Sequence, residues 1–143
     1  MWSRQQPAAP NHLWTGVDYG SNSDTALESP PLDVSANQPF VMTFKHSYQF
    51  EQGMGTNWDG GVIEVSTDNG MNWSDISMYG AAGYGGVIGD MPNQAHNPLN
   101  GRQGYVGTSA GYPNLNTATI NMANTLAGKT VKIRFRIGSD DAS

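Results

Sequence analysis

Two short stretches of this 143-residue chain set reactive side chains at spacings that chemistry uses. The first, Ser66-Thr67-Asp68-Asn69-Gly70-Met71-Asn72-Trp73, puts a carboxylate beside a turn-forming Asn-Gly pair and a large aromatic. The second, Gly107-Thr108-Ser109-Ala110-Gly111, fits the Gly-x-Ser-x-Gly spacing of a nucleophile elbow, where a strand, a strained turn and a helix present a serine to a base. Such an elbow needs its helix, yet Tyr112-Pro113-Asn114 follows, and no alternation of strand and helix supplies the supporting parallel sheet. His12, His46 and His96 are the available bases; His46 falls in the inward-reading row of a strand and the other two in loops. A serine hydrolase is therefore an alternative that the surrounding residues disfavour.

Carboxylates raise a second possibility, because paired acids cleave glycosides. Asp59, Glu64, Asp68 and Asp75 gather around one hairpin. Most acids so placed are solvated or brace turns, and no His-Glu-x-x-His spacing supports a catalytic metal. An EF-hand loop fails as well, since Gly70 and Asn72 stand at the ligand positions after Asp68 and no glutamate closes the loop. What the spacing does suit is folding: Asp68 can accept the amides of the turn it opens, Asn69-Gly70 tolerates positive φ, and Trp73 can fold back over the hairpin. The structural hairpin residues are then Ser66, Asp68, Gly70 and Trp73. Their Ser-x-Asp-x-Gly-x-x-Trp pattern resembles the Asp-box, a hairpin motif of sialidases and many other β proteins, with Asn72 where that motif usually carries threonine. That resemblance implies an acid that braces a turn, remote from catalysis.

The elements that must position these residues are short strands. Hydrophobic residues make up 37 % and charged ones 13 %, with 18 glycines and 8 prolines, a composition suited to strands joined by many turns. The length fits one domain, residues 1–143. Residues 40–50 alternate Phe40, Met42, Phe44, His46, Tyr48 and Phe50 with polar or smaller neighbours, the period of a strand. Residues 60–67, 73–76, 104–108, 117–122 and 131–137 also read as strands, the last through Val131, Ile133, Phe135 and Ile137. Ser29-Pro30-Pro31 limits residues 25–34 to a kinked edge strand. Residues 1–24 read as an irregular lead-in packed by Trp14 and Tyr19. No window repeats apolar residues at helical spacing. The expectation is an all-β, antiparallel two-sheet β-sandwich of jelly-roll type, its Phe40 and Val131 strands facing each other across the core.

Charge and cysteine count limit the partners. A formal charge of -5 and an isoelectric point near 4.8 offer no grip on phosphate backbones, so nucleic acid is not an expected partner. Zero cysteines remove disulfides and thiolate sites and leave the compartment open. No run approaches the roughly 18 apolar residues of a membrane span, and Met1 to Pro7 lacks the apolar centre of a signal peptide, so an exported form would be a mature fragment. Trp58, Tyr79, Tyr84 and Tyr112, set among glycine and asparagine loops, are aromatics that could stack on a sugar ring.

Four stretches in order resemble a jelly-roll module found beside secreted bacterial metallopeptidases of the immune-inhibitor-A type. They are Asp24-Thr25-Ala26-Leu27-Glu28-Ser29-Pro30; Asn57-Trp58-Asp59-Gly60-Gly61-Val62-Ile63-Glu64 running on through Trp73; Asn97-Pro98-Leu99-Asn100-Gly101-Arg102 with Val106-Gly107-Thr108-Ser109-Ala110-Gly111-Tyr112; and Thr130-Val131-Lys132-Ile133-Arg134-Phe135-Arg136-Ile137-Gly138-Ser139-Asp140. Such modules are also similar to MAM-type and galactose-binding-like sandwiches. The resemblance implies a non-catalytic accessory domain of an extracellular or surface protein that binds carbohydrate or protein, with no enzyme activity; a stand-alone structural or oligomerising protein is the alternative. It further implies a structural calcium near the chain ends, with Asp18, Asp24, Asp59 and Asp140 as metal ligands beside Asn22. The family's closing strand has no counterpart after Asp140, so an unpaired sheet edge is expected to invite a partner strand or a homo-oligomer, unless the segment around Trp14 covers it.

Overall fold

The computed structural model describes residues 1–8, 11–17, 19–89 and 96–141. In chain order the strands are β1 (Ser3–Ala8), β2 (Asn11–Thr15), β3 (Ser23–Glu28), β4 (Leu32–Asp33), β5 (Val41–His46), β6 (Gln52–Gly53), β7 (Thr56–Asn57), β8 (Gly60–Ser66), β9 (Ser74–Asp75), β10 (Gly86–Val87), β11 (Gln103–Gly104), β12 (Asn116–Asn121) and β13 (Thr130–Ser139). One 3-10 turn, Ile76–Met78, interrupts them, and the described residues contain no α-helix and so no helix able to cross a membrane. The protein is all-β and its strand pairs are antiparallel.

The larger sheet has five strands in the order β3, β13, β8, β9, with β4 pairing the start of β13 beside β3. The break between β3 and β4 falls at the two prolines, which cannot donate to the ladder. Ser29 bridges that gap: its amide donates to the Ile133 carbonyl at 2.8 Å and its hydroxyl accepts the Ile133 amide at 2.9 Å. The second layer pairs β5 with β12, and its continuation pairs Gln49 with Thr108. Phe44 meets Phe135 edge-on at 5.2 Å, so the aromatic faces of β5 and β13 do pack across the core.

The interior is tightest around Ile63, Val65, Ile76, Ile120, Met122, Leu126 and Val131, each at most 1 % exposed. All of β8 is buried, including the outward row of Val62, Glu64 and Ser66. That happens because residues 84–89 and 97–105 pack against β8: Gly61 and Tyr105 exchange two backbone hydrogen bonds of 2.8 and 3.0 Å along its edge, and Ile88 and Leu99 close on Val62 from the outer face. The cover is thin enough that glycine is required. A Cβ on Gly104 would lie 2.7 Å from the Gly61 carbonyl oxygen and 2.6 Å from Ile88 Cδ1.

Residues 1–24 differ from the expected irregular lead-in. Within that stretch Ser3–Ala8 and Asn11–Thr15 pair as a hairpin in which Ser3, Arg4 and Gln5 of β1 face Thr15, Trp14 and Leu13 of β2. Its mostly polar residues carry no hydrophobic period for a sequence reading to detect. Packing holds it in place: Gly16 lies so close to Ile137 and Trp2 that an added Cβ would meet both.

Candidate functional site

The period of the β5 stretch places Phe44, His46, Tyr48 and Phe50 in one row, with successive ring centroids 5.0, 5.3 and 5.4 Å apart. Tyr105 stands against the middle of that row, 5.0 Å from His46 and 5.5 Å from Tyr48. Although the row faces the core, its rings are only half-buried, as are Leu27 of β3 and Phe135 and Ile137 of β13 opposite. Between these walls, beneath Trp2, Leu13 and Trp14 of the N-terminal hairpin, lies a cleft of about 570 Å³. That volume falls within the range of small-molecule and side-chain pockets. The polar residues on its lining include His46, Gln49 and Asp59. Burial lowers the pKa of His46 and raises that of Tyr48, so both are held neutral near pH 7. Trp2 borders the cleft, but its indole N–H is turned away from solvent and has no hydrogen-bond partner among the described residues.

A second constellation lies on the far face of the same sheet. Glu64, 4 % exposed at its side chain, accepts hydrogen bonds from Arg102, from Arg134 Nε at 2.5 Å and from Arg136 Nη1 at 3.3 Å. Arg102 also reaches Asp75 at 2.7 Å, Arg136 grips both oxygens of Asp24 at 2.8 and 2.7 Å, and Arg134 lies 4.3 Å from the Trp73 ring centroid. Burial works against the Glu64 carboxylate, but the hydrogen bonds and charges of Arg102 and Arg134 outweigh it and leave its pKa below the ordinary value. Glu64 is thus neither solvated nor turn-bracing. Each acid and guanidinium here has a partner, so the cluster is a structural clasp rather than a ligand site.

At the hairpin that ends β8, Asp68 accepts the Asn72 amide at 2.8 Å, the Asn72 side chain at 2.7 Å and the Ser66 hydroxyl at 2.7 Å. Those bonds hold its carboxyl at about 2. Trp73 Nε1 donates to the Gly70 carbonyl at 3.2 Å, and Asn69 and Gly70 take φ of 60° and 90°. Ser109 is buried: its hydroxyl accepts the Tyr48 amide at 3.0 Å while its own amide donates to the Tyr48 carbonyl at 2.9 Å.

The aromatics singled out for sugar stacking are scattered. Tyr112 is exposed and borders the cleft. Tyr84 is half-buried, its hydroxyl donating to Asp75 at 3.0 Å and accepting the Ile63 amide at 3.0 Å. Tyr79 packs against the core, and the Trp58 carbonyl accepts Asn97 Nδ2 at 2.7 Å. Among the expected metal ligands, Asp59 and Asp140 are buried together, the Asp140 amide donating to Asp59 Oδ1 at 3.1 Å. Asp24 belongs to the Arg136 pair, and Asp18 lies outside the described residues. Among the described residues no three His, Cys, Asp or Glu gather as a metal group would. Missed from sequence were Phe44, His46, Tyr48 and Phe50, because a periodic aromatic row reads as core. The signal was their bulk, since Leu27, Phe135 and Ile137 opposite cannot cover so much ring surface.

No protein-family model, curated protein or solved structure matches this chain.

Proposed function

We propose that the chain is a non-catalytic binding module whose site is the aromatic cleft between the β5 and β13 layers. The observation that carries this is the half-buried row Phe44, His46, Tyr48 and Phe50, core-facing rings left open to a cleft of about 570 Å³. Supporting it, Ser109 is engaged by the Tyr48 backbone, and the acids around Glu64 are neutralised by arginines. The jelly-roll arrangement, the exported accessory setting and a carbohydrate or protein partner belong to the same proposal. Titration with oligosaccharide and peptide libraries, followed by tryptophan fluorescence, tests it. Binding that Tyr48→Ala weakens about tenfold or more is the expected result, the scale for truncating a central aromatic; turnover of esters or peptides that disappears in Ser109→Ala would overturn it.

The structural calcium implied by the resemblance would draw on Asp59 and Asp140, since Asp24 is committed to Arg136. A melting temperature that falls on adding EDTA and recovers with calcium chloride is the expected outcome. Unchanged melting removes the ion without touching the cleft.

A further inference from the structure

The geometry points to an extended polypeptide strand from another protein as the occupant, docked along the free edge of β5 with alternate apolar side chains in the cleft. This rests on the binding-module reading and names its partner class. The free edge follows from the hydrogen-bond pattern. The Phe40 amide donates to Ala123 and the Phe40 carbonyl accepts Met122, both at 2.9 Å, so even-numbered residues of this strand turn their backbone groups toward β12. The pattern holds further on, where Tyr48 and Phe50 bond Ser109 and Gly107. In the register of β5 with β12, Thr43 faces Thr119 with hydroxyls 3.4 Å apart, the close pairing of residues whose own amides point elsewhere.

The N–H and C=O groups of Val41, Thr43, Lys45 and Gln49 therefore line the opposite edge, and none has a partner among the described residues. Because the cleft is lined by Lys45 and Gln49 as well as by the inward aromatic row, it runs along that edge. Such an edge recognises backbone at the repeat of a strand, with a pocket beside it for every second side chain.

Charge separates the candidate occupants. A second copy would bring together two chains of formal charge -5. A foreign strand that is otherwise neutral brings far less negative charge to this chain, and one acidic residue opposite Lys45 gains a cross-strand pair. The partner is accordingly a segment of alternating apolar and polar residues with one acid.

The test pans a displayed library of random peptides of about nine residues, the length of a long strand, against the immobilised full chain. Enriched peptides are expected to alternate apolar and polar residues. The tightest one, made synthetically, should slow hydrogen exchange at the Thr43 and Lys45 amides by about tenfold or more. Its twin, N-methylated at alternate residues, should bind the same wild-type protein at least about tenfold more weakly, since it keeps the side chains and loses the donors. Thr43→Pro should behave like the twin. Unchanged exchange at both amides, equal binding of the twin, or no enrichment would overturn the inference. A sedimentation coefficient that rises with concentration while those amides become protected would assign the edge to a second copy and overturn it too. Oligosaccharide binding in the cleft without any peptide effect would sink this inference alone; silence of sugars and peptides together would sink the binding-module reading with it.

Discussion

Glu64 shows how an acid is held inside a sheet. Its strand is buried on both faces, and the desolvation of its carboxylate is offset only because Arg134 and Arg136 project from the neighbouring strand and Arg102 from the covering loop. Removing one partner from a buried ion pair typically leaves the others uncompensated. Glu64→Gln is expected to destabilise the protein by about 3 kcal/mol in urea unfolding, the low end for such a loss, because the three guanidiniums remain partly in contact with solvent. Asp68 makes a different prediction. Its folded pKa of about 2 lies below the ordinary 3.8 of an aspartate, so the stability it contributes is complete above 3.8 and disappears as pH falls through 2. Urea unfolding across that interval should show a flatter pH dependence in Asp68→Asn than in wild type.

Among the elements, β8 and β13 were the most legible, and for a definite reason. In β13 the branched and aromatic residues Val131, Ile133, Phe135 and Ile137 alternate with Lys132, Arg134 and Arg136, and the strand follows that alternation over Thr130–Ser139. The prolines at 30 and 31 likewise marked the break between β3 and β4. The hairpin of β1 and β2 was hidden because polar strands show no apolar period. The cover over β8 was hidden for another reason: its cohesion depends on backbone approach at Gly60, Gly61 and Gly104, where the missing side chain is the signal. Gly104→Ala tests that approach. Its Cβ would meet the Gly61 carbonyl, which as backbone cannot move aside, so a loss of about 1–3 kcal/mol is expected in thermal unfolding, the scale of overpacking. Of the site, the alternating row Phe44, His46, Tyr48 and Phe50 is readable as a strand but not as a site, since exposure depends on which neighbouring edges stay unpaired.

On the scale of the whole molecule, the pairing is strongly non-local. β13 joins β3, with Ser139 opposite Ser23, and on its other side joins β8, with Gly138 opposite Gly60. A fold whose central strand bonds such distant neighbours should unfold as one unit, so far-ultraviolet circular dichroism and tryptophan fluorescence are expected to report coincident urea transitions. Refolding should fall in the millisecond-to-second range of proteins dominated by distant strand pairs. The position of β13 has a further consequence during synthesis. Until residues 130–139 leave the ribosome, β3 and β8 share no neighbour. The nascent chain must therefore carry both stretches as unzipped fabric, exposed to chaperones and proteases, until the seam that joins them, which follows both in the chain, has emerged.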